Sequence, residues 1–212
     1  MMTQDWTEAT APNGVASRED VETALHLTQR PVRFTGWLLA GAELYGLDFQ
    51  RCAFLRCRGW AADFSSCDLT EARFAGCDFN NARWRGATLS SAVFQDCKLT
   101  GAQIVDARTL GLKFERCLLV SALLHGLSFR REVLEQLDFQ GADLSEADFR
   151  EAELVGCDLR GANVTHARFE GADLRGADLG NLRIADAGRF KGAIISKDQA
   201  AALVRGLGLK IG

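Results

Sequence analysis

Along this chain the large apolar residues fall at every fifth position. From Phe34 to Ile184 every residue number ending in 4 or 9 carries one, with Gly59 and Thr109 as exceptions. Two places earlier stands a small residue, Ala at 16 and Cys at 7 of these 31 positions. Val32, Trp37, Leu47, Leu112, Leu127, Glu132, Leu137 and Leu182 depart from that rule. A period of five matches neither the 3.6 of a helix nor the 2.0 of a strand. It matches a solenoid, whose coils each contact only their neighbours. The large side chain then fills the centre of a narrow coil, and the small one lets adjacent backbones approach. Thirteen of the 21 glycines stand two places after the central residue, from Gly36 to Gly176, where the chain turns a corner and a positive φ is useful. Asp or Asn just ahead of the central residue can accept a backbone N–H, as in an Asx turn.

Three segments follow, at 1–31, 32–188 and 189–212. Residues 1–16 are polar and broken by Pro12, Asn13 and Gly14, the composition of a mobile terminus. Ser17 opens a capping-box-like sequence. Val21, Ala24, Leu25 and Thr28 share one face of a short helix that stops before Pro31 and is expected to cover the open end of the first coil. Within the fives, Arg130–Gln136 keeps phase but puts Glu132 in an inward slot. An unpaired buried carboxylate is costly, so this side is expected to turn Glu132 to solvent at a distorted corner, or to bulge or loop outward. After the fives, Ser196 and Gln199 form a second capping box. Ala200, Leu203, Val204 and Leu207 then make one apolar stripe, Gly206 and Gly208 end the helix, and Leu209–Ile211 reads as a short strand. Leu203, Leu207, Leu209 and Ile211 offer more apolar surface than a cap needs.

Composition and chemistry mainly exclude. The net charge of -3 is mild, and no run approaches the roughly 18 apolar residues of a membrane span. The N-terminus has no signal-peptide pattern, and seven cysteines without an export signal suit a reducing cytoplasm. Cys57, Cys77, Cys97, Cys117 and Cys157 recur at multiples of twenty, and Cys52 and Cys67 take equivalent slots. A parallel ladder does not converge tetrahedrally as zinc requires. These thiols read as small hydrophobes, and neither metal nor cofactor is expected. His26, His125 and His166 bear no regular relation, and no phosphate loop, G-x-S-x-G or H-E-x-x-H occurs. No enzyme is visible. Arg51, Arg56, Arg58, Arg73, Arg83 and Arg85 read first as a solvated basic region, with direct nucleic-acid binding as a further alternative.

The fives across about residues 32–187 resemble the pentapeptide-repeat family. That resemblance implies an all-β solenoid, a right-handed quadrilateral parallel β-helix of about eight coils. Four repeats per coil put Phe34, Phe54, Phe74, Phe94 and Phe114, then Leu134, Leu154 and Leu174, in one ladder. At the strand spacing of about 4.8 Å the coils would extend roughly 37 Å. The tail pattern GAxIxxxQAxxLxxxLGLxI, at Gly192, Ala193, Ile195, Gln199, Ala200, Leu203, Leu207, Gly208, Leu209 and Ile211, resembles the C-terminus of Qnr and MfpA type fluoroquinolone-resistance proteins. TLGLKFERC at 109–117 resembles a mid-chain stretch of the Qnr type. In those relatives the tail joins two rods as a homodimer, and the rod imitates B-form DNA to bind DNA gyrase or topoisomerase IV. For this chain the resemblance implies dimerisation through Leu203, Leu207, Leu209 and Ile211. It also implies a cytoplasmic, non-enzymatic role as a topoisomerase-binding DNA mimic. Qnr proteins interrupt their coils with loops, whereas the unbroken phase here is closer to MfpA, so no long-loop contact is carried over. The alternative is a scaffolding solenoid that binds some other protein.

Charge along the chain localises the mimicry. Net charge is -4 over 1–29, +3 over 30–136, -6 over 137–188 and +4 over 189–212. DNA carries one charge per about 1.7 Å, so roughly 22 phosphates would occupy the whole rod, which is a poor copy. Over the roughly 12 Å of 137–188, however, DNA would hold about seven charges, close to the local net value. Asp138, Asp143, Asp148, Glu151, Glu153, Asp158, Asp173 and Asp178 are therefore the candidate contacts, as a group. Turns also favour Asp ahead of each central residue, so architecture competes with mimicry for the same residues.

Overall fold

The computed structural model describes residues 6–27, 31–180, 187–206, 208 and 210. The chain folds as a parallel β-solenoid with one short N-terminal and one short C-terminal helix, and divides into two compact units, Met1–Leu118 and Leu119–Gly212.

In the first unit, β1 (Thr7–Ala9), β2 (Val32–Thr35), β3 (Ala53–Leu55), β4 (Arg73–Ala75), β5 (Val93–Gln95) and β6 (Lys113–Glu115) form one parallel sheet in chain order. From β2 to β6 the register advances by twenty residues per strand, aligning Phe34, Phe54, Phe74, Phe94 and Phe114. Other sides of the coil carry single bridges at the same interval, such as Leu38–Arg58–Asp78, Glu43–Asp63–Arg83 and Asp48–Asp68–Thr88. The second unit repeats the plan. β7 (Val133–Glu135) pairs with β8 (Glu153–Val155), and the bridges run Leu123–Asp143–Asn163, Ser128–Asp148–Arg168 and Asp138–Asp158–Asp178.

The twenty-residue register stacks like on like. Successive ring centroids from Phe34 to Phe114 lie 5.0, 4.8, 4.4 and 5.4 Å apart. Each such contact adds about 0.5–1.5 kcal/mol beyond burial. Leu134, Leu154 and Leu174 are likewise buried. All seven cysteines are free and buried, and the Sγ of Cys57, Cys67, Cys77 and Cys157 each donate to a carbonyl of the preceding coil. Desolvation pushes the Cys67 thiol up to about 12 and those of Cys52 and Cys157 up to about 11. Contact with neighbouring thiols, then desolvation, raises Cys77 and Cys117. These groups pack as hydrophobes. At Gly59, where the central residue is missing, the Phe79 ring moves in: a Cβ there would lie 2.3 Å from Phe79 Cε1.

Every corner residue two places after a central one, from Gly36 to Gly171, has positive φ, including Arg51 (57°), Ala61 (55°), Glu71 (58°) and Arg131 (62°). A left-handed L-residue costs about 1–2 kcal/mol. The corner persists because its N–H is held by the next coil, as in Arg51 N to Thr70 O (2.8 Å) and Ala61 N to Asn80 O (2.9 Å).

Helix α1 (Arg18–His26) starts at the predicted capping box, with Ser17 and Asp20 bonded reciprocally, and buries Val21 and Ala24. Arg18 Nη1 donates to Glu43 O (3.1 Å) and Tyr45 O (3.0 Å), carbonyls at the end of the first coil. Helix α2 (Lys197–Gly206) follows a second capping box, Gln199 N to Ser196 Oγ (3.1 Å) and Ser196 N to Gln199 Oε1 (2.7 Å). Gln199 Nε2 donates to Leu174 O (2.7 Å) and Ala177 O (2.8 Å).

Three expectations are corrected. Residues 6–16 are no loose tail: β1 pairs with β2, Trp6 Nε1 donates to Arg51 O (2.7 Å), and Val15 bridges Leu38. The edge of β2 would otherwise be unpaired, and this segment satisfies it. Segment 130–136 neither bulges nor loops out. β7 stays in register, and Glu132, half-buried, keeps the turn bond of its N–H to Phe129 O (3.1 Å). The solenoid also continues past the end of the fives. Phe190, on the 3-10 turn Ala187–Phe190, stacks on Phe169 at 5.0 Å, and Ile194 bridges Asp173. Their offset of 21 instead of 20 hides them from the five-residue pattern. Leu182 and Ile184 lie outside the described residues.

Phe74→Ala, between two rings in the stack, should destabilise by about 3–5 kcal/mol in urea unfolding. Gly126 has φ 69° with nothing within 4 Å of a built Cβ. Gly126→Val should therefore cost about 1–2 kcal/mol from backbone strain alone.

Candidate functional site

The eight candidate acids all sit on the outside of the coils of Leu119–Gly212, half-buried or exposed. They do not share one side. Asp138, Asp158 and Asp178 are successive bridge partners in one line, and Glu153 and Asp173 are partners in a second. Asp143 stands between Leu123 and Asn163, and Asp148 between Ser128 and Arg168. Glu151 occupies a corner with φ 60°. The zone is a belt around the solenoid, and only one line stacks three carboxylates.

Most of these carboxylates are already engaged. Six hold Asx turns, accepting the N–H two residues on: Asp138 from Gln140 (3.0 Å), Asp143 from Ser145 (3.1 Å), Asp148 from Arg150 (3.1 Å), Asp158 from Arg160 (2.9 Å), Asp173 from Arg175 (3.1 Å) and Asp178 from Gly180 (2.9 Å). Where Arg stands two places after Asp, its guanidinium folds back on the same carboxylate, as Arg150 Nη2 does on Asp148 at 2.7 Å. Arg160 on Asp158 and Arg175 on Asp173 do the same. Arg168 adds a second pair to Asp148 at 3.0 Å, and Glu151 meets Arg130 at 3.2 Å and Arg131 at 2.9 Å.

These partners hold the carboxyls low. Arg150 keeps Asp148 well below the usual carboxylate range. Arg160 lowers Asp158, Arg175 lowers Asp173, Ser145 lowers Asp143, and Arg131 with Arg130 lowers Glu151. Arg160 also reaches Asp178 at 3.5 Å, so net negative charge concentrates on Asp138 and Glu153. The pairing was legible in the sequence as Asp-x-Arg at 148, 158 and 173, because residues two apart on a strand point to the same side.

The basic region divides similarly. Arg83 pairs with Asp63 (3.0 Å) and Arg85 with Asp106 (3.0 Å). No ion pair among the described residues involves Arg51, Arg56 or Arg58. Of the four residues expected to dimerise, Leu203 is half-buried on α2, and Leu207, Leu209 and Ile211 lie outside the described side chains. Among the described residues no group of three His, Cys, Asp or Glu is placed to hold a metal ion, and no helix is long and apolar enough to cross a membrane.

The family model for a pentapeptide repeat region matches residues 29–104, and that for pentapeptide repeats in eight copies matches 117–154 and 152–187. Together they span most of the chain. It is a pentapeptide-repeat protein. Solved structures sharing its fold include a trypsin-treated form of QnrB1, a plasmid-mediated fluoroquinolone resistance protein. The TM-score is 0.69 at 22% identity, covering 86% of this chain and 88% of that one. A second trypsin-treated form of QnrB1 gives 0.67 at 23% identity, covering 86% and 88%. HetL, involved in heterocyst differentiation regulation in the cyanobacterium Nostoc sp., gives 0.54 at 24% identity, covering 83% and 91%. No curated protein matches the sequence significantly.

Because Asp148 is depressed in the folded state, its contribution is full above the unfolded carboxylate value of about 3.9 and fades as pH falls through the lower folded value. Asp148→Asn, which keeps the turn acceptor, should lose about 1–2 kcal/mol at pH 7. The two proteins should converge in stability toward the acid end of a pH series of melting curves.

Proposed function

We propose that this pentapeptide-repeat protein binds a type II topoisomerase, DNA gyrase or topoisomerase IV, in place of DNA. It thereby protects the enzyme from, or competes with, poisons such as fluoroquinolones. It acts in the cytoplasm without catalysis, as a homodimer joined through Leu203, Leu207, Leu209 and Ile211. The observation that carries this reading is the line Asp138–Asp158–Asp178. It sets one carboxylate per coil, at a rung spacing of about 4.8 Å, and each is fixed by its own turn bond. Charge held in place before binding meets a cationic surface with little ordering cost. The fold shared with QnrB1, itself a fluoroquinolone resistance protein, supports the same reading.

One observation favours a second reading, a scaffold for another protein. Arg150, Arg160 and Arg175 neutralise carboxylates that a strict phosphate mimic would leave bare. Charge reversal cannot separate the two readings, since it would also break the turns. Asn can, because Asn163 already holds an Asx turn here, accepting from Thr165 N at 3.1 Å.

The triple variant Asp138→Asn, Asp158→Asn, Asp178→Asn should retain its fold by circular dichroism. It should lose at least about tenfold in its effect on gyrase supercoiling, measured with and without a fluoroquinolone. If wild-type protein acts and the triple variant acts equally well, the acidic line is not the contact. If neither form affects gyrase or topoisomerase IV, the scaffold reading replaces the topoisomerase one.

A further inference from the structure

We propose that the side of the first coils carrying Val15, Leu38, Arg56, Arg58 and Trp60 is a docking surface for a short acidic segment of a partner protein. This surface is separate from the acidic belt and does not depend on the topoisomerase reading.

Val15, Leu38 and Arg58 are successive rungs of one line of bridges. Trp60 follows Arg58 by two residues and so points to the same side. Between them Gly59 is buried, its space taken by the Phe79 ring. The frame is fixed by Ala16 N to Leu38 O (2.7 Å), Leu39 N to Arg58 O (2.6 Å) and Gly41 N to Trp60 O (2.8 Å). On it Val15 is 61%, Leu38 37% and Trp60 60% exposed, an apolar group on a side that elsewhere bears charge.

The other large aromatic groups near this end are all engaged. Trp37 is buried, Tyr45 lies under Arg18 at 4.8 Å, and Trp6 under Arg33 at 4.5 Å. Trp60 has no ring or cation partner among the described residues. Arg56 and Arg58 have no ion pair there either, although Arg33, Arg83, Arg85 and Arg116 each have one. The Arg56 stem lies beside the Gly76 corner, and the residue is exposed. An unpartnered Trp beside two unpaired guanidiniums is the combination that dominates protein interfaces. It is apolar at its centre and cationic at its rim.

That chemistry selects the partner. The guanidiniums call for carboxylates, and Trp60 with Leu38 and Val15 calls for an aliphatic or aromatic side chain. Nucleic acid fits less well, because Val15 and Leu38 offer nothing to a phosphate backbone and the chain is net negative. The one acid in the line, Asp78, is half-buried, accepts from Asn80 N at 3.3 Å, and makes no ion pair with either guanidinium among the described residues. Few residues form the patch, which suits a linear segment rather than a folded domain.

Among the described tryptophans Trp60 alone is largely exposed, so intrinsic fluorescence reports on the surface directly. Full-length protein is titrated with a short peptide alternating glutamate and leucine, and separately with oligothymidylate of similar length. A blue shift of Trp60 emission with the peptide, weakened by added salt, is expected. Arg56→Glu with Arg58→Glu should weaken binding at least about tenfold, and Trp60→Ala should abolish the shift. Asp138→Asn should leave it unchanged. The proposal is overturned if the peptide neither shifts emission nor gives heat by calorimetry, if oligothymidylate binds more tightly, or if the double arginine variant binds as wild type. Circular dichroism confirms that each variant is folded.

Discussion

The bonding of backbone N–H groups to carbonyls about twenty residues away in the neighbouring coil is the constraint on which everything else depends. It fixes the register, and the register forces each inward side chain to meet its counterpart in the next coil. Phe therefore stacks on Phe from 34 to 114, and thiol lies next to thiol from Cys57 to Cys117. The same bonds hold non-glycine corners such as Arg51 and Glu71 in left-handed geometry. The strain is local, and the ladder that opposes it is continuous through each coil.

A ladder of this kind has a cost at its ends, where donors and acceptors face no further coil. The protein meets it with side chains from the first turn of each helix. Arg18 reaches Glu43 O and Tyr45 O, and Gln199 reaches Leu174 O and Ala177 O. β1 supplies a further rung for β2. The capping helices thus satisfy backbone groups as well as covering apolar surface.

On the outside, the same residues serve architecture and charge. Asp ahead of a central residue closes a turn, and its second oxygen is free for another partner. Where Arg follows two places on, that partner is internal, as at Asp148, Asp158 and Asp173. Where it does not, as at Asp138, charge remains on the surface. Counting acids along a segment overstates the field it projects, because neighbouring arginines cancel much of it at short range.

The five-residue period by itself determined the solenoid and the inward Phe, Leu, Ala and Cys, and the Ser-x-x-Asp and Ser-x-x-Gln motifs determined the two capping boxes. These depend on contacts that repeat locally, so a one-dimensional pattern records them. Three features were decided only in three dimensions. β1 joins the sheet through Thr7–Ala9, whose sequence has no apolar period to announce it. Glu132 stays in a regular coil because a half-buried slot leaves room for its carboxylate. Phe190 enters the stack one residue out of phase. The distribution of acids around four sides, and the isolation of Trp60 beside Arg56 and Arg58, likewise follow from winding. Residues adjacent on the surface are one coil apart in sequence, and which neighbours pair depends on side-chain geometry across that coil.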